Sequence, residues 1–469
     1  MIKQLEVDGV PALLAPVTGT THAGLVFRVG LADEPPARRG ITHLIQHLVL
    51  DGHRNGRVGA EHTYFHVQGS AERIAEFVTG VCAALRRLPT DRIDAEKKVL
   101  RSEDQPVGPL PTRRHGARDF GMAGYPEWGL AGLGAEHLNE WIARYFTREN
   151  AVLWVAGDAV PQGLALDLAE GERQPPPAPS AALAATPAWF AGPGEEVAWD
   201  TVVRREARAA VFANVLERRL HRDLCLRSEI AARVGTEYQP RAGRTARITA
   251  VAEPLPERAG AALGGTIDAL AEMRAGRIEP DDVATVVELT CRGLREAERK
   301  GGRLPGQAFN VLAGLSVRSL DDAVTEASAV TVAEVAAVAA TAYEAGLLMT
   351  PAGTSADWGG YPAASLPSSP ISGRTLRARG NRSLRLVYSD EGVTVVGGGT
   401  VLYDTCAALL VGPDGSRELV GEDGAAVRVD PAAFRGGAAL IEQIDARVPA
   451  RVRVDLRSAE SEADITDAR

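Results

Sequence analysis

Cysteine is scarce in this chain of 469 residues, and the few cysteines present have no paired spacing. They are Cys82, Cys225, Cys291 and Cys406. Such a scatter predicts neither a disulfide framework nor a thiolate zinc site. We interpret all four as free thiols buried in the core, because unpaired cysteine packs as a small apolar residue.

The chain also lacks an excess of basic residues and any long apolar run. Its 52 Lys and Arg residues are outnumbered by 61 Asp and Glu residues, which gives a formal net charge of -9. Nucleic acid is therefore not expected as a partner, since phosphate binding needs a concentrated basic surface. No run of about twenty apolar residues predicts a transmembrane segment. The first residues have neither the apolar core nor the cleavage site of a signal peptide, so we expect a cytoplasmic protein.

Two linker-like stretches divide the chain into three folded regions. Residues 159–200 are rich in Pro and Ala, and residues 351–380 are rich in Gly, Pro and Ser. The predicted regions are 1–158 and 201–350, which both mix strands with amphipathic helices, a small β-rich domain at 381–455, and a disordered acidic tail at 456–469. This order predicts the α+β class, with a mostly-β domain at the C-terminal end.

One short stretch, Gly40 to Leu50, carries the candidate chemistry. As a helix it places His43 and His47 four residues apart on one face, with apolar residues on the other side for burial. Two imidazoles in this arrangement could coordinate one metal ion. The third residue after the first histidine is Gln46, where a zinc hydrolase of the inverted His-x-x-Glu-His kind has its general base.

The segment Arg39 to Leu48 resembles the signature of the pitrilysin/insulinase family of zinc metallopeptidases, which includes the mitochondrial processing peptidase subunits. The resemblance extends over about residues 1 to 350. Its other parts are Glu61-His62-Thr63-Tyr64, the pair Glu96 and Glu103, the stretch Tyr145 to Asp158, and Leu216 to Arg222. It implies two consecutive α/β sandwich domains, each with an antiparallel sheet and helices packed on it.

The resemblance also implies a site for one zinc ion. Its ligands would be His43, His47 and Glu103, and Glu96 would be the carboxylate that supports them. Imidazole and carboxylate suit zinc, with the fourth position left for water. The alternative is that both histidines are ordinary half-buried residues and that Glu103 belongs to a solvated helix face.

Three departures from the family pattern concern activity. Gln46 has an amide, which cannot take a proton from a metal-bound water. His47 and Glu103 lie only 56 positions apart, which is fewer than the resemblance implies. We interpret the difference as the loss of a helix and of the start of the edge strand that binds substrate. The family's substrate-holding Arg and Tyr have no counterpart at the best-aligned positions, which are Cys225 with Ala232, or Arg227 with Val234.

These departures favour a catalytically inactive or impaired zinc-peptidase homologue that binds a peptide or serves as a regulatory subunit. An active homologue in a heterodimer would be its partner. Two alternatives stay open: an active zinc endopeptidase that processes peptides or protein precursors, and a metal-free structural scaffold. If the chain is an active endopeptidase, there are two explanations for Gln46. It would be a substitution introduced to trap substrate, or Glu61 or Glu96 would serve as the base in its place.

The C-terminal region weakly resembles a pleckstrin-homology-like barrel in the order of its strands, turns and closing helix. A basic run precedes and enters it, formed by Arg374, Arg377, Arg379, Arg382 and Arg385. Contact with an anionic membrane or an acidic partner is one interpretation of this run. A solvated strand edge, protected by charge from aggregation, is the interpretation that we favour.

Overall fold

The computed structural model describes residues 2–51, 55–103, 107–365, 368–381 and 383–456. Within these ranges the chain is a mixture of helices and strands, and the strands form four sheets. The predicted α+β class is confirmed. The first two sheets belong to the two sandwich-like halves, and the other two belong to the C-terminal domain.

The first half contains one six-stranded sheet of order β1-β2-β6-β3-β5-β4. Its strands are β1 Lys3–Val7, β2 Val10–Ala15, β3 His22–Phe27, β4 Gly56–Val58, β5 Thr63–Gln68 and β6 Ala151–Ala156, and its helices are α1 Ile41–Leu50, α2 Ala71–Arg86, α3 Ile93–Ser102, α4 Pro109–His115 and α5 Ala135–Tyr145. Only β2 and β6 pair in parallel. Helices α1, α2 and α5 bury apolar residues against one face of this sheet, so the predicted histidine helix lies directly on it.

The second half repeats this plan with a five-stranded sheet of order β7-β11-β8-β10-β9. Its strands are β7 Ala188–Ala191, β8 Val197–Arg204, β9 Ala231–Pro240, β10 Thr245–Pro254 and β11 Leu347–Thr350, and its helices are α6 Ala207–Leu220, α7 Ala259–Arg274, α8 Pro280–Arg299, α9 Leu304–Leu312, α10 Leu320–Ser328 and α11 Val332–Glu344. The core contains fully buried Trp199 and Phe212.

Helix α9 joins the two halves. Its residues Leu304, Ala308 and Leu312 recur every four positions, which places them on one face. This face packs on the side of the first sheet that α1 does not cover, against Val26 and Trp154. Both faces of the first sheet are therefore buried, one by helices of its own half and one by a helix of the other half.

The predicted linkers are shorter in the structure. Strand β7 and the first part of β8 lie inside the predicted linker 159–200, and β12 (Arg374–Arg377) lies inside 351–380. The composition of these stretches did not predict the strands, because each strand is short and lies among Pro, Gly, Ser and Ala residues. The edge strand β9 was not predicted either, since polar residues interrupt its apolar ones and all but Ala231 are exposed or only partly buried.

The C-terminal domain consists of two four-stranded sheets and one helix. The first sheet has β12, β13 Arg385–Tyr388, β14 Gly392–Val395 and β15 Thr400–Leu402; the second has β16 Cys406–Val411, β17 Arg417–Gly421, β18 Ala426–Val429 and β19 Arg453–Asp455; the helix is α12 Gly437–Arg447. The described strands do not close into a single barrel, and the pleckstrin-homology resemblance stays a prediction. The predicted tail, apart from Leu456, lies outside the described residues, as does Arg382.

No single helix in the described parts of the chain is both long and apolar enough to cross a bilayer. The strongly bent pair α10 and α11 meets the criterion only when the two helices are taken together, on length and composition alone.

Candidate metal site

Helix α1 begins at a closely packed glycine and a buried carboxylate. Gly40 has a φ of 102°, and a Cβ at this position would lie 2.9 Å from the Cβ of Glu127, so a side chain would be strained and crowded. Glu34 accepts hydrogen bonds of 2.9 Å from the backbone N–H groups of Gly40 and Thr42. A carboxylate suits the partial positive charge of a helix N-terminus. These contacts fix the direction in which His43 leaves the helix.

The structure brings the three predicted ligands together. Glu103 Oε2 lies 3.7 Å from His43 Nε2, and Glu103 Oε1 lies 3.6 Å from His47 Nε2. One ligand atom from each residue lies within 4.8 Å of the other two. Zinc bonds of about 2.1 Å in a tetrahedron separate neighbouring ligand atoms by about 3.4 Å. The observed spacing therefore fits one zinc ion, although Glu103 directly follows α3 instead of lying on its face as predicted.

Each histidine is held through its other ring nitrogen by a buried carboxylate. His43 Nδ1 lies 3.1 Å from Glu127 Oε1, and His47 Nδ1 lies 3.3 Å from Glu96 Oε2. Arg92 in turn donates a 2.6 Å hydrogen bond to the second oxygen of Glu96. Such outer carboxylates orient metal-binding imidazoles and fix the tautomer that presents Nε2 to the metal. Glu96 thus contacts the ring nitrogen of His47 that does not face Glu103.

Glu127 is a part of the site that sequence reasoning missed. It follows Glu103 by 24 positions in an irregular segment, and no motif or helical spacing marks it. Arg39 Nη1 lies 3.4 Å from Glu127 Oε1 and 2.8 Å from Glu34 Oε2, so one buried guanidinium bridges the helix cap and the histidine support.

The charge around His43 favours a cation. Burial by itself lowers the pKa of this imidazole, but the hydrogen bond and charge of Glu127, with the charges of Glu103 and Glu34, outweigh burial and raise it. A cluster of carboxylates that raises a histidine pKa also stabilises a bound divalent ion. The donor set and its electrostatic surroundings therefore both fit zinc.

Gln46 lies on α1 between the two histidines and is buried. Its amide nitrogen faces the edge strand β4, since a Cβ on Gly56 would lie 3.2 Å from Gln46 Nε2. An amide can hydrogen-bond a water but cannot accept its proton near neutral pH. The two proposed substitutes are engaged elsewhere: Glu96 contacts His47 and Arg92, and Glu61 contacts the second half.

Glu61 connects the two halves instead of serving the metal site. The backbone N–H of Ala242 donates to its carboxylate, with distances of 3.1 and 3.3 Å to the two oxygens. Burial raises the pKa of Glu61 from 4.5 to about 7, even though this hydrogen bond and the nearby charges of Arg241 and Arg28 oppose the shift. A carboxyl group in this position changes its charge near neutral pH.

We expect the pH dependence of stability to report on Glu61. Its raised pKa means that the folded protein keeps a proton that the unfolded chain loses, so this contribution is complete below pH 4.5 and is lost as the pH rises through about 7. The loss amounts to ~3 kcal/mol. Urea unfolding of Glu61→Gln between pH 4.5 and 8 should lack this component, whereas the exposed control Glu76→Gln should retain it. Identical pH profiles for native protein and Glu61→Gln would contradict the assignment.

The positions where the resemblance implies substrate-holding elements lie on β4 and in the second half. The edge strand β4 has three described residues, Gly56–Val58, and residues 52–54 before it lie outside the described parts. In the second half, Cys225 and Arg227 lie on a π-helical continuation of α6, and the exposed guanidinium of Arg227 pairs with Asp223 at 3.3 Å. The other aligned positions, Ala232 and Val234, lie on β9.

The basic run lies along an exposed sheet edge. Arg374 and Arg377 lie on β12, the outermost strand of its sheet, and Arg377 is opposite Arg385 on β13. These arginines and Arg379 are exposed. Like charges on an edge strand discourage pairing with another chain. The membrane interpretation of the run stays a prediction.

No family model matches the sequence, and no curated protein matches it. Solved structures do match. A protease from Helicobacter pylori superposes with a TM-score of 0.62 at 13% identity, over 75% of this chain and 99% of its own. An inactive peptidase M16 domain from Pseudomonas fluorescens gives 0.60 at 13% identity, over 76% and 98%. A chain of complex III from Candida albicans gives 0.59 at 13% identity, over 75% and 96%.

These neighbours are covered almost completely, whereas about a quarter of this chain has no counterpart in them. Their low identity makes the likeness one of fold, and a protease and an inactive domain share it. The two sheet-and-helix halves and the helix that carries His43 and His47 thus have the architecture of M16 peptidases, the pitrilysin-like fold.

Proposed function

We propose that this chain is a zinc-binding protein of the pitrilysin-like fold that has lost most or all of its hydrolytic activity and acts by holding a peptide or a partner subunit. The observation that supports this most directly is the contrast within α1. The two histidines keep a carboxylate third ligand and buried supports, yet Gln46 occupies the place of the base.

The chain's own residues define what the site can do. His43, His47 and Glu103 would hold the ion, while Glu127 and Glu96 keep the two imidazoles in position. Zinc bound in such a set supplies a Lewis acid and a water of lowered pKa. Gln46 can orient that water by hydrogen bonding but cannot remove its proton. Loss of a positioned base lowers the rate by roughly 10²–10⁴-fold.

The partner part of the proposal rests on the reduced substrate-holding elements and on the neighbours. One neighbour is part of a multisubunit complex, and another is an inactive domain. A chain with a metal-held scaffold but no base would suit the same kind of role beside an active homologue. We propose a cytoplasmic location for it.

Substitution of Gln46 tests the proposal. We expect purified native protein with one equivalent of zinc to show no chelator-sensitive cleavage of a fluorogenic peptide library. Gln46→Glu should raise cleavage by roughly 10²–10⁴-fold if the chain still holds a peptide, because it restores a carboxylate base between the two histidines of α1. Gln46→Ala serves as the control for changed volume without a base. Chelator-sensitive turnover by the native chain at a rate similar to that of Gln46→Glu would refute the proposed loss of activity. A zinc-free native protein would leave only the metal-free scaffold.

A further inference from the structure

The C-terminal domain packs on the two short segments of the first half that support the metal site. We name these the supporting segments and define them as residues 36–39 and 125–128. Ala37, Tyr125 and Trp128 of these segments form one apolar cluster with strand residues of the C-terminal domain. The strand residues of that cluster are Ala407, Ala408, Leu410, Val420 and Val454. This cluster is separate from the C-terminal domain's own core.

A second set of contacts fixes the docking beside this cluster. The backbone N–H of Ala117 donates a 3.1 Å hydrogen bond to the carbonyl oxygen of Glu422, and the side chain of Glu422 lies 3.4 Å from Arg118. A Cβ on Gly116 would lie only 2.0 Å from the same carbonyl oxygen. The turn after β17 therefore seats directly on the first half, at a distance that only glycine permits.

The supporting segments connect this interface to His43 in two steps. Trp128 donates its indole N–H to the carbonyl oxygen of Pro36, which ties the two segments together. The same two segments contain Arg39 and Glu127, whose side chains lie 3.4 Å apart. Glu127 then lies 3.1 Å from His43 Nδ1. The residue that contacts the C-terminal domain and the residue that orients the histidine are thus neighbours in sequence, Trp128 and Glu127.

The supporting segments have little regular structure of their own. Residues 36–38 and 128–132 form only short 3₁₀ turns, and residues 125–127 belong to no helix or strand. Such turns have poor hydrogen-bond geometry and depend on packing for their position. Docking of the C-terminal domain supplies that packing for Trp128 and Ala37.

We propose that the C-terminal domain is a brace for the metal site: its docking positions Glu127 and, through Glu127, His43. The metal affinity of the first half therefore depends on a domain that contributes no ligand. This inference rests on the proposed metal binding, but the brace itself exists in the metal-free protein. Trp128 and Leu410 are positioning residues in this arrangement.

Strand β16 provides a matched pair of variants. Leu410 is buried in the cluster with the supporting segments, whereas its neighbour Leu409 is buried in the core of the C-terminal domain. Successive strand residues point to opposite faces, so both Leu→Ala changes remove the same atoms from one strand. Only Leu410→Ala alters the contact with the first half.

Zinc affinity, measured by competition with a chromophoric chelator, is the first readout. We expect Leu410→Ala to bind zinc roughly 10–100-fold more weakly, the size of effect that follows when an outer partner of a metal ligand is disturbed. Glu127→Gln should weaken binding to a similar extent, and Leu409→Ala should match native protein. Hydrogen exchange of the metal-free protein is the second readout, and residues 125–128 should exchange faster in Leu410→Ala alone.

Either of two results would overturn the brace. One is native zinc affinity in Leu410→Ala together with faster exchange at residues 125–128; the other is equal weakening in Leu409→Ala, which would indicate general destabilisation. If native protein binds no zinc, the proposed function fails while the exchange experiment still decides whether docking orders the supporting segments. If Leu410→Ala does not fold, Val420→Ala with Leu419→Ala as its control repeats the comparison on β17.

Discussion

His43→Ala is expected to abolish stoichiometric zinc binding. The change leaves His47 and Glu103 as the only two protein ligands, and it also leaves the Glu127 carboxylate buried without its imidazole partner. Elemental analysis after dialysis should fall from one zinc per chain to a trace. Zinc at 100 times its native Kd should stabilise the native protein by about 2.7 kcal/mol and leave the variant unchanged in thermal unfolding.

His66→Ala is the matched control for this variant. His66 is an exposed histidine on β5 and does not belong to the three-ligand group, which is the only such group among the described residues. Its removal should leave zinc content intact. Full zinc retention by His43→Ala would show that the ion is held elsewhere and would contradict the assignment of His43 as a ligand.

The ligand-bearing helix could be predicted from the sequence because its information is local. The spacing of His43 and His47 places both rings on one helix face, whatever the rest of the chain does. The apolar residues on the other side of the same segment recur with the period of a helix, which a strand would not satisfy.

The outer part of the site could not be predicted because it is assembled by distant contacts. Glu127 and His43 are separated by 84 positions, and Arg39 meets Met122 over 83. No periodicity in the sequence encodes such a meeting. The same limit applies to the docking of the C-terminal domain, where Ala117 bonds to Glu422 across more than half of the chain. Tertiary packing decides these contacts, and the local pattern around each residue permits several alternatives.

The buried ion pairs of the second half could not be predicted from the sequence either. Their disruption is expected to have the largest effect on stability. Asp200 on β8 is fully buried and accepts a 2.7 Å hydrogen bond from Arg114 and a 2.8 Å bond from Arg247. Arg114 belongs to α4, and it also donates to the carbonyl oxygen of Ala345 at 3.0 Å. One carboxylate therefore balances two guanidinium groups and ties α4 to the second sheet.

Asp200→Asn should lower the free energy of unfolding at pH 7 by about 3–5 kcal/mol, because it leaves two largely buried guanidinium groups without a counter-charge. Burial raises the pKa of Asp200, but the charges and hydrogen bonds of Arg114 and Arg247 outweigh burial and hold it below 3.8. A depressed folded-state pKa gives stability that is present above pH 3.8 and lost as the pH falls through the lower value. The difference between native protein and Asp200→Asn in urea unfolding should therefore be constant from pH 5 to 8 and shrink only in strong acid.

The control Glu344→Gln removes an exposed ion pair with Arg274 and should change stability by less than about 1 kcal/mol. Equal effects of the two variants would show that Asp200 does not compensate both arginines in the folded protein.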